Sequence, residues 1–287
     1  MNVYGISGLK GHGKDSLAKA IQGESGDFRI THFAFELKRL GGVIFGLTDA
    51  QMHDQLLKEL PLPEPVHMDE FLPAMREQTG LDIQPAEKVA NTPREVLQYL
   101  GTEYVRRARQ SYWVDCVLKE IMDVGDFFLV PDTRYPNEAD ALRSIGGKVI
   151  KVKRIDIPEH TDGHSSETEM AKIDPDLLLG TVTGGFGLQS KVAALIARGQ
   201  FEEAKKYDYR RIERALAEFR AGGTTRDVAH TLELHLVDAE FVLDYYKINC
   251  KRCLGYRRFI DGELDRGQVG FEIMSCQDCK VIDPRLS

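Results

Sequence analysis

The stretch Gly8-Leu-Lys-Gly-His-Gly-Lys-Asp-Ser16 decides how the rest of the chain is read. Val3-Tyr-Gly-Ile-Ser7 before it is short, apolar and β-prone, and Leu17-Ala-Lys-Ala-Ile21 after it reads as the first turns of a helix. Strand, glycine-rich turn with a lysine, then helix is the order that a phosphate-binding loop requires. Gly8, Gly11 and Gly13 let the backbone curl so that successive N–H groups converge on phosphate oxygens. The helix N-terminus adds its partial positive charge. Lys14 would bring a mobile point charge to β- and γ-phosphates, and Lys10 stands on the same loop. The usual pattern ends Gly-Lys-Ser/Thr because the hydroxyl ligates Mg²⁺. Here Asp15 follows the lysine and Ser16 comes one place later. Either Ser16 takes the magnesium position through a small shift, or Asp15 binds the ion or its water shell. A turn capped by Asp15 and Ser16 with no nucleotide is the alternative. The spacing Gly8-x4-Gly13-Lys14, between a strand and a helix, favours the nucleotide.

The totals bound what else the chain does. With 287 residues, 42% hydrophobic and 29% charged, it buries one large core, or a core plus a small module. No run of roughly 18 apolar residues is present, so no membrane partner is expected, and the start goes straight into a strand without a signal-like segment. The expected location is the cytoplasm. A net charge of −7 weighs against nucleic acid as the main partner, while leaving room for local phosphate sites built from Arg and Lys.

Downstream, Phe28-Arg-Ile-Thr-His-Phe-Ala34 reads as a second strand and Phe35-Glu-Leu-Lys38 as the opening of a helix. Residues 40–92 are read as a variable excursion over the surface, because Pro61, Pro63, Pro65, Pro73 and Pro85 break any long element. Thr92-Pro93-Arg94-Glu95 starts a helix, with a capping threonine, proline at the first position and Glu95 completing a capping box. Leu97, Leu100 and Tyr104 share its inward face. Arg94, Gln98 and Thr102 follow at i+4 on another side, aimed either at a cleft or at solvent. Arg106, Arg107 and Arg109 are read as solvent-facing. Phe127-Phe-Leu-Val130 has the form of a buried parallel strand and ends in Pro131-Asp132-Thr133-Arg134. Asp132 there suits Mg²⁺ water or acceptor orientation and Arg134 a phosphate clamp, with a simple ion pair between them as the alternative.

Asn137–Ile145 reads as a helix, Lys148–Val152 as a strand with Arg154 at its exit, and Leu177–Val182 as a further strand before the turn Gly184-Gly185. Helices follow from about Leu188 to Arg198 and from Phe201 to Arg220, and residues 226–246 are assigned helix over strand on length. Near the end stand Cys250-Lys-Arg-Cys253 and Cys276-Gln-Asp-Cys279, separated by 22 residues. Two CxxC pairs at this separation match a zinc ribbon, four thiolates closing a tetrahedral structural Zn²⁺. Cys116, alone in an apolar stretch, reads as a reduced core residue.

Taken together, these stretches resemble the bacteriophage deoxynucleoside monophosphate kinases, a branch of the P-loop nucleotide kinases. The phosphate loop of that family also places Asp between the lysine and the hydroxyl residue, as Lys14-Asp15-Ser16 does. Arg94-Glu-Val-Leu-Gln-Tyr-Leu-Gly-Thr102 with Tyr112-Trp113, Val130-Pro-Asp-Thr-Arg134 with Glu138, and Gly147-Lys-Val-Ile-Lys-Val-Lys-Arg154 are similar to its next blocks, and His164 with Glu167 follow in order. The resemblance covers roughly residues 1–198. Gly184-Gly185 stands where the family has Asn-Asp. The implied fold is α/β, a P-loop kinase fold with a parallel sheet flanked by helices, here with a small C-terminal four-cysteine zinc ribbon. The implied domains are a kinase core over 1–223, with the excursion 40–92 and a lid-like segment 155–175, and an extension over 224–287 holding the ribbon at 247–284.

The implied reaction moves the γ-phosphoryl group of ATP to a deoxynucleoside monophosphate with Mg²⁺. Arg94, Arg134 and Arg154 are then candidates for the acceptor phosphate or the transferring group, Asp132 for magnesium or acceptor orientation, and Gln98 for the acceptor base. His164 and Glu167 would ride on a closing segment. A homodimer is a further expected partner state. Two rivals stay open: a zinc-ribbon P-loop ATPase acting on nucleic acid through Lys251, Arg252, Arg257 and Arg258, and a P-loop kinase of another phosphorylated small molecule.

Overall fold

The computed structural model describes residues 2–125, 127–156, 165–185 and 187–247. In chain order the first elements are β1 (Asn2–Ser7), α1 (Lys14–Glu24), β2 (Arg29–Ile30), α2 (Ala34–Phe45) and α3 (Asp49–His53). Then come β3 (Val66–His67), α4 (Leu72–Thr79), β4 (Val89–Ala90) and α5 (Pro93–Gln98), which runs on as a π-helical segment, Tyr99–Arg106. After these follow α6 (Tyr112–Val124), β5 (Phe127–Val130), α7 (Pro136–Ser144), β6 (Lys148–Arg154), α8 (Ser165–Ala171) and β7 (Leu177–Thr181). The last five helices are α9 (Gly187–Ala197), α10 (Phe201–Ala204), α11 (Tyr209–Arg220), α12 (Thr225–Leu232) and α13 (Leu236–Lys247). Five strands pair in parallel, with helices around them, and the chain divides into two compact units.

The first unit holds Met1–Gly5 and Arg29–Gly147. Its parallel strands run in the order β2-β5-β1, with Asn2 opposite Phe127, Gly5 opposite Val130 and Ile30 opposite Leu129. Phe128, Leu129 and Val130 are buried, as an uninterrupted apolar run requires of a strand packed on both faces. Val3, Phe33, Val114, Val117, Ile121 and Leu142 complete the core around them. Gly5 is a packing glycine: a Cβ there would stand 2.7 Å from Leu142 Cδ1 and 2.9 Å from Thr133 Oγ1.

Residues 40–92 correct the expectation of a surface excursion. Leu40, Ile44, Met52, Met68, Leu72, Met75, Ile83 and Ala90 are buried in one cluster with Val96, Leu97, Leu100, Tyr104 and Trp113. The prolines divide this segment into short pieces without keeping it on the surface. Pro73 stands in the first turn of α4, where a missing N–H costs nothing. The Asp69 carboxylate gathers the segment by accepting the N–H groups of Ala86 and Glu87, both at 3.1 Å, and the Tyr104 hydroxyl at 2.6 Å. The antiparallel pair β3–β4 closes it.

The second unit holds, among the described residues, Ile6–Phe28 and those from Lys148 onward. Here β6 and β7 pair in parallel from Ile150 opposite Leu177 to Arg154 opposite Thr181. Leu17, Ala18 and Ile21 of α1 and Leu188, Val192, Ala193 and Ile196 of α9 are buried where these two helices meet. The single helix expected over Phe201–Arg220 is interrupted at Asp208, whose buried carboxylate accepts the N–H of Leu178 at 3.0 Å and caps α11 through Arg210 N at 2.9 Å. Residues 226–246 are helical as expected, in two helices separated by Glu233 in the left-handed conformation. Among the described residues no helix is long and apolar enough to cross a membrane.

Candidate functional site

The loop between β1 and α1 is a cradle. Gly8, Gly11 and Gly13 all take positive φ, at 155°, 80° and 93°, which L side chains adopt only under strain. A Cβ on Gly8 would stand 2.6 Å from the Val152 carbonyl oxygen, so the loop lies against the strand next to it, whereas a Cβ on Gly11 meets open space. Gly13 is the N-cap of α1 and offers no side chain of its own to cap the helix's first-turn N–H groups. Lys14 is mostly buried, with Nζ 3.5 Å from the exposed Asp15 carboxylate. Lys10 and Ser16 are exposed. Hydrogen bonds hold the loop from behind: Thr181 Oγ1 to the His12 carbonyl at 3.3 Å, Gln189 Nε2 to the Gly13 carbonyl at 3.0 Å, and Arg154 N to His12 Nδ1 at 3.3 Å. A cradle of amides backed by a helix N-terminus suits a polyphosphate.

Arg154 stands at the end of β6, as expected, and its guanidinium grips Asp156 through Nε at 2.8 Å and Nη2 at 3.1 Å. Thr183 joins both, its backbone N–H reaching Asp156 at 2.8 Å. The Arg154 guanidinium holds the Asp156 carboxyl far below the usual carboxylate range. Asp156 and Thr183 carry no motif, and sequence reasoning missed them.

The first unit carries the other candidates. Thr92 Oγ1 accepts the N–H of Glu95 at 3.2 Å and starts α5, which places Arg94 in its first turn. Arg94 pairs with Glu59 and its backbone N–H reaches the Lys58 carbonyl at 3.0 Å. The buried Nε has no aligned hydrogen-bond acceptor among the described residues. Gln98, at the end of α5, is half-buried and Arg134 is exposed. Lys58 has its pKa pushed down by burial first, then by Lys38, Arg94 and Arg134, with Glu59 partly opposing. Lys38 Nζ stands 3.4 Å from His53 Nδ1, and burial together with Lys38 and Lys58 pushes the His53 pKa down as well. The cationic groups of Lys38, Arg94 and Arg134 all bear on Lys58, and such a group of positive side chains suits a phosphate dianion. Lys38 and Lys58 had no local sequence signal, because Lys58 lies in the proline-broken segment and Lys38 in an ordinary helix.

Residues 74–181 match the model of the deoxynucleotide monophosphate kinase family. The chain is also similar to the deoxynucleotide monophosphate kinase of Enterobacteria phage T4, 34% identical over 91 residues, and to that of Escherichia phage RB69, 32% identical over 113 residues. These alignments span 30% and 34% of this chain and only 37% and 46% of the phage proteins, less than half of either relative. A protein of Acanthamoeba polyphaga mimivirus that carries the same name provisionally aligns more fully. It is 27% identical over 190 residues, 60% of this chain and 84% of the viral protein.

Within the stretch matched by the deoxynucleotide monophosphate kinase model, the loop after β5 is held by one buried carboxylate. Glu138, 2% exposed, accepts the N–H of Arg134 at 2.8 Å and of Tyr135 at 3.1 Å on one oxygen, and Arg106 Nη2 at 2.9 Å on the other. Arg106 also lies over the Tyr135 ring at 3.8 Å. The expectation that Arg106 faces solvent is therefore corrected, while Arg107 and Arg109 are exposed. Arg106 ends the π-helical segment Tyr99–Arg106, and its guanidinium meets the buried Glu138 carboxylate 32 residues further along the chain, a partner that no spacing rule reveals. Asp132 accepts the N–H groups of Phe33 and Ala34, both at 2.9 Å, and so caps α2, with no pairing to Arg134. His164, the Glu167 side chain and all four of Cys250, Cys253, Cys276 and Cys279 lie outside the described residues. Cys116 is free and half-buried, and burial pushes its thiol pKa up.

Proposed function

We infer that this chain is a deoxynucleoside monophosphate kinase, an ATP-dependent phosphotransferase that converts a dNMP to the corresponding dNDP. The observation that carries this conclusion is the family match over residues 74–181, which takes in Arg94, Gln98, Asp132, Arg134 and Arg154. The open glycine cradle at Gly8–Lys14 supports ATP as the donor.

In the mechanism we propose, no covalent nucleophile forms. An oxygen of the acceptor 5′-phosphate attacks the γ-phosphorus in line as the bond to the bridging oxygen breaks, so the protein positions the partners and neutralises charge. The loop amides and Lys14 hold the donor phosphates. Lys38, Lys58, Arg94 and Arg134 receive the acceptor phosphate, and Gln98 meets its base. Asp132 orients the acceptor side by fixing the start of α2. Arg154 is a candidate for the transferring group once released from Asp156. His164 and Glu167 are, by family likeness, candidates for substrate binding.

Ser16 and Asp15, both exposed hard oxygen donors at the start of α1, would hold Mg²⁺, which takes few protein ligands. When bound, that ion offsets the charge of the transferring group. The spacing of Cys250, Cys253, Cys276 and Cys279 supports a structural zinc ribbon, a proposal on chemistry alone.

An ADP-release assay across the four common dNMPs and modified purine dNMPs tests the activity. Turnover with at least one is expected, and Lys14→Ala should lower it by several orders of magnitude at an unchanged Tm. Turnover with none of them would refute the assignment.

A further inference from the structure

The helix farthest along the described chain, α13, lies beyond the stretch matched by the kinase family, yet its side chains reach the backbone that supports the phosphate loop. The Tyr245 hydroxyl donates to the Gly185 carbonyl at 2.9 Å, and that of Tyr246 to the Gly180 carbonyl at 3.1 Å. These two bonds bracket the turn that links β7 to α9. The Tyr245 ring fills the space beside Gly185, where a Cβ would stand 2.9 Å from the ring and 2.3 Å from Val182 Cγ2. Gly184 takes φ +73°, so the turn needs both of its glycines, one for conformation and one for room. One turn of helix back, Phe241 packs against Gly187 at the start of α9, and Asp238 pairs with Lys191 of the same helix.

What α13 fixes in turn fixes the cradle. Thr181, the last residue of β7, donates to the His12 carbonyl, and Gln189, in the first turn of α9, donates to the Gly13 carbonyl. Between them Thr183 binds Asp156, which grips Arg154, whose own N–H is held by His12. The loop that would take the donor phosphates is thus held by residues on both flanks of the turn that Tyr245 clamps.

We propose that α13 is part of the donor-nucleotide site, with Tyr245 as a positioning residue that holds the 182–185 turn and through it sets the affinity for ATP. Gly184 and Gly185 bring no side chains of their own to the turn, and the clamp from α13 supplies the order that two glycines cannot. The proposal rests on the reading of Gly8–Ser16 as the ATP loop.

Tyr245→Phe keeps the ring and removes only the hydroxyl. The expected result is a three- to tenfold rise in KM for ATP and in the Kd of a fluorescent ATP analogue, with kcat at saturating ATP and KM for dNMP within twofold of the parent. Gly185→Ala, which presses on the ring and on Val182, should raise the same two constants further. A fall in Tm with unchanged ATP constants, or an equal rise in both KM values, would overturn the proposal, since either marks a merely structural tyrosine. Lys14→Ala in the same assays separates the two ideas. Loss of turnover there with a silent Tyr245→Phe defeats the α13 proposal alone, whereas full turnover in Lys14→Ala defeats the ATP-loop reading and this proposal with it.

Discussion

Replacing Arg106 by methionine leaves Glu138 with two backbone N–H donors and no counter-ion, in a place where its side chain meets almost no water. Breaking a buried ion pair from one side costs about 3–5 kcal/mol. With an unfolding entropy of about 2.1 cal/mol/K per residue, a 287-residue chain melting as one unit loses roughly 5 °C for 3 kcal/mol. Burial already pushes the Glu138 carboxyl pKa up, and removal of Arg106 pushes it further. The sign follows from the protonation states: the unpaired charge is harmful only while the carboxylate is ionised. The deficit of Arg106→Met against the parent should therefore shrink as pH falls through the raised pKa of Glu138 and be largest above it. Adding Glu138→Gln removes the charge while its amide oxygen still accepts from Arg134 and Tyr135, so the double variant should regain about 2 kcal/mol over Arg106→Met, as expected when both members of a buried pair are neutralised. Thermal and urea melts of the three proteins at several pH values make the comparison. An Arg106→Met protein within about 0.5 kcal/mol of the parent, or a double variant no more stable than Arg106→Met, would refute the reasoning.

Two further outcomes concern the acceptor phosphate and the metal. Lys58→Ala should raise KM for dNMP about tenfold, in line with loss of a charge-assisted hydrogen bond, and leave KM for ATP alone. Because binding of the dianion favours the charged lysine, whose pKa burial and three neighbouring cations depress, acceptor affinity should fall as pH climbs through that depressed value. The alkaline limb should vanish in the variant, and a limb that persists there belongs to another group. Metal analysis should find about one zinc per chain, lost in Cys250→Ser and in Cys276→Ser. Five titratable thiols in the native, metal-analysed protein would dismiss the four-thiolate site.

The cradle could be read from sequence because every part of it is local. Glycines at fixed spacing, a strand of five apolar or small residues before them and a helix after them specify positive φ, converging amides and a helix N-terminus within about twenty residues. The same holds for the cap at Thr92 and for the buried strand Phe127–Val130, where propensity and position agree. Arg94, Arg134 and Arg154 could be named as candidates for a like reason, each standing at the start of a helix or the end of a strand.

What the tertiary structure alone decided are the partners of these groups. Whether Arg106 faces water or a buried glutamate depends on where Glu138, 32 residues further along the chain, is packed. Lys38 and Lys58 join Arg94 and Arg134 in one field because a proline-broken segment packs into the core, and proline reports only where regular structure ends. Tyr245 meets Gly185 across 60 residues of chain, a separation at which no periodicity survives and only packing chooses the neighbour.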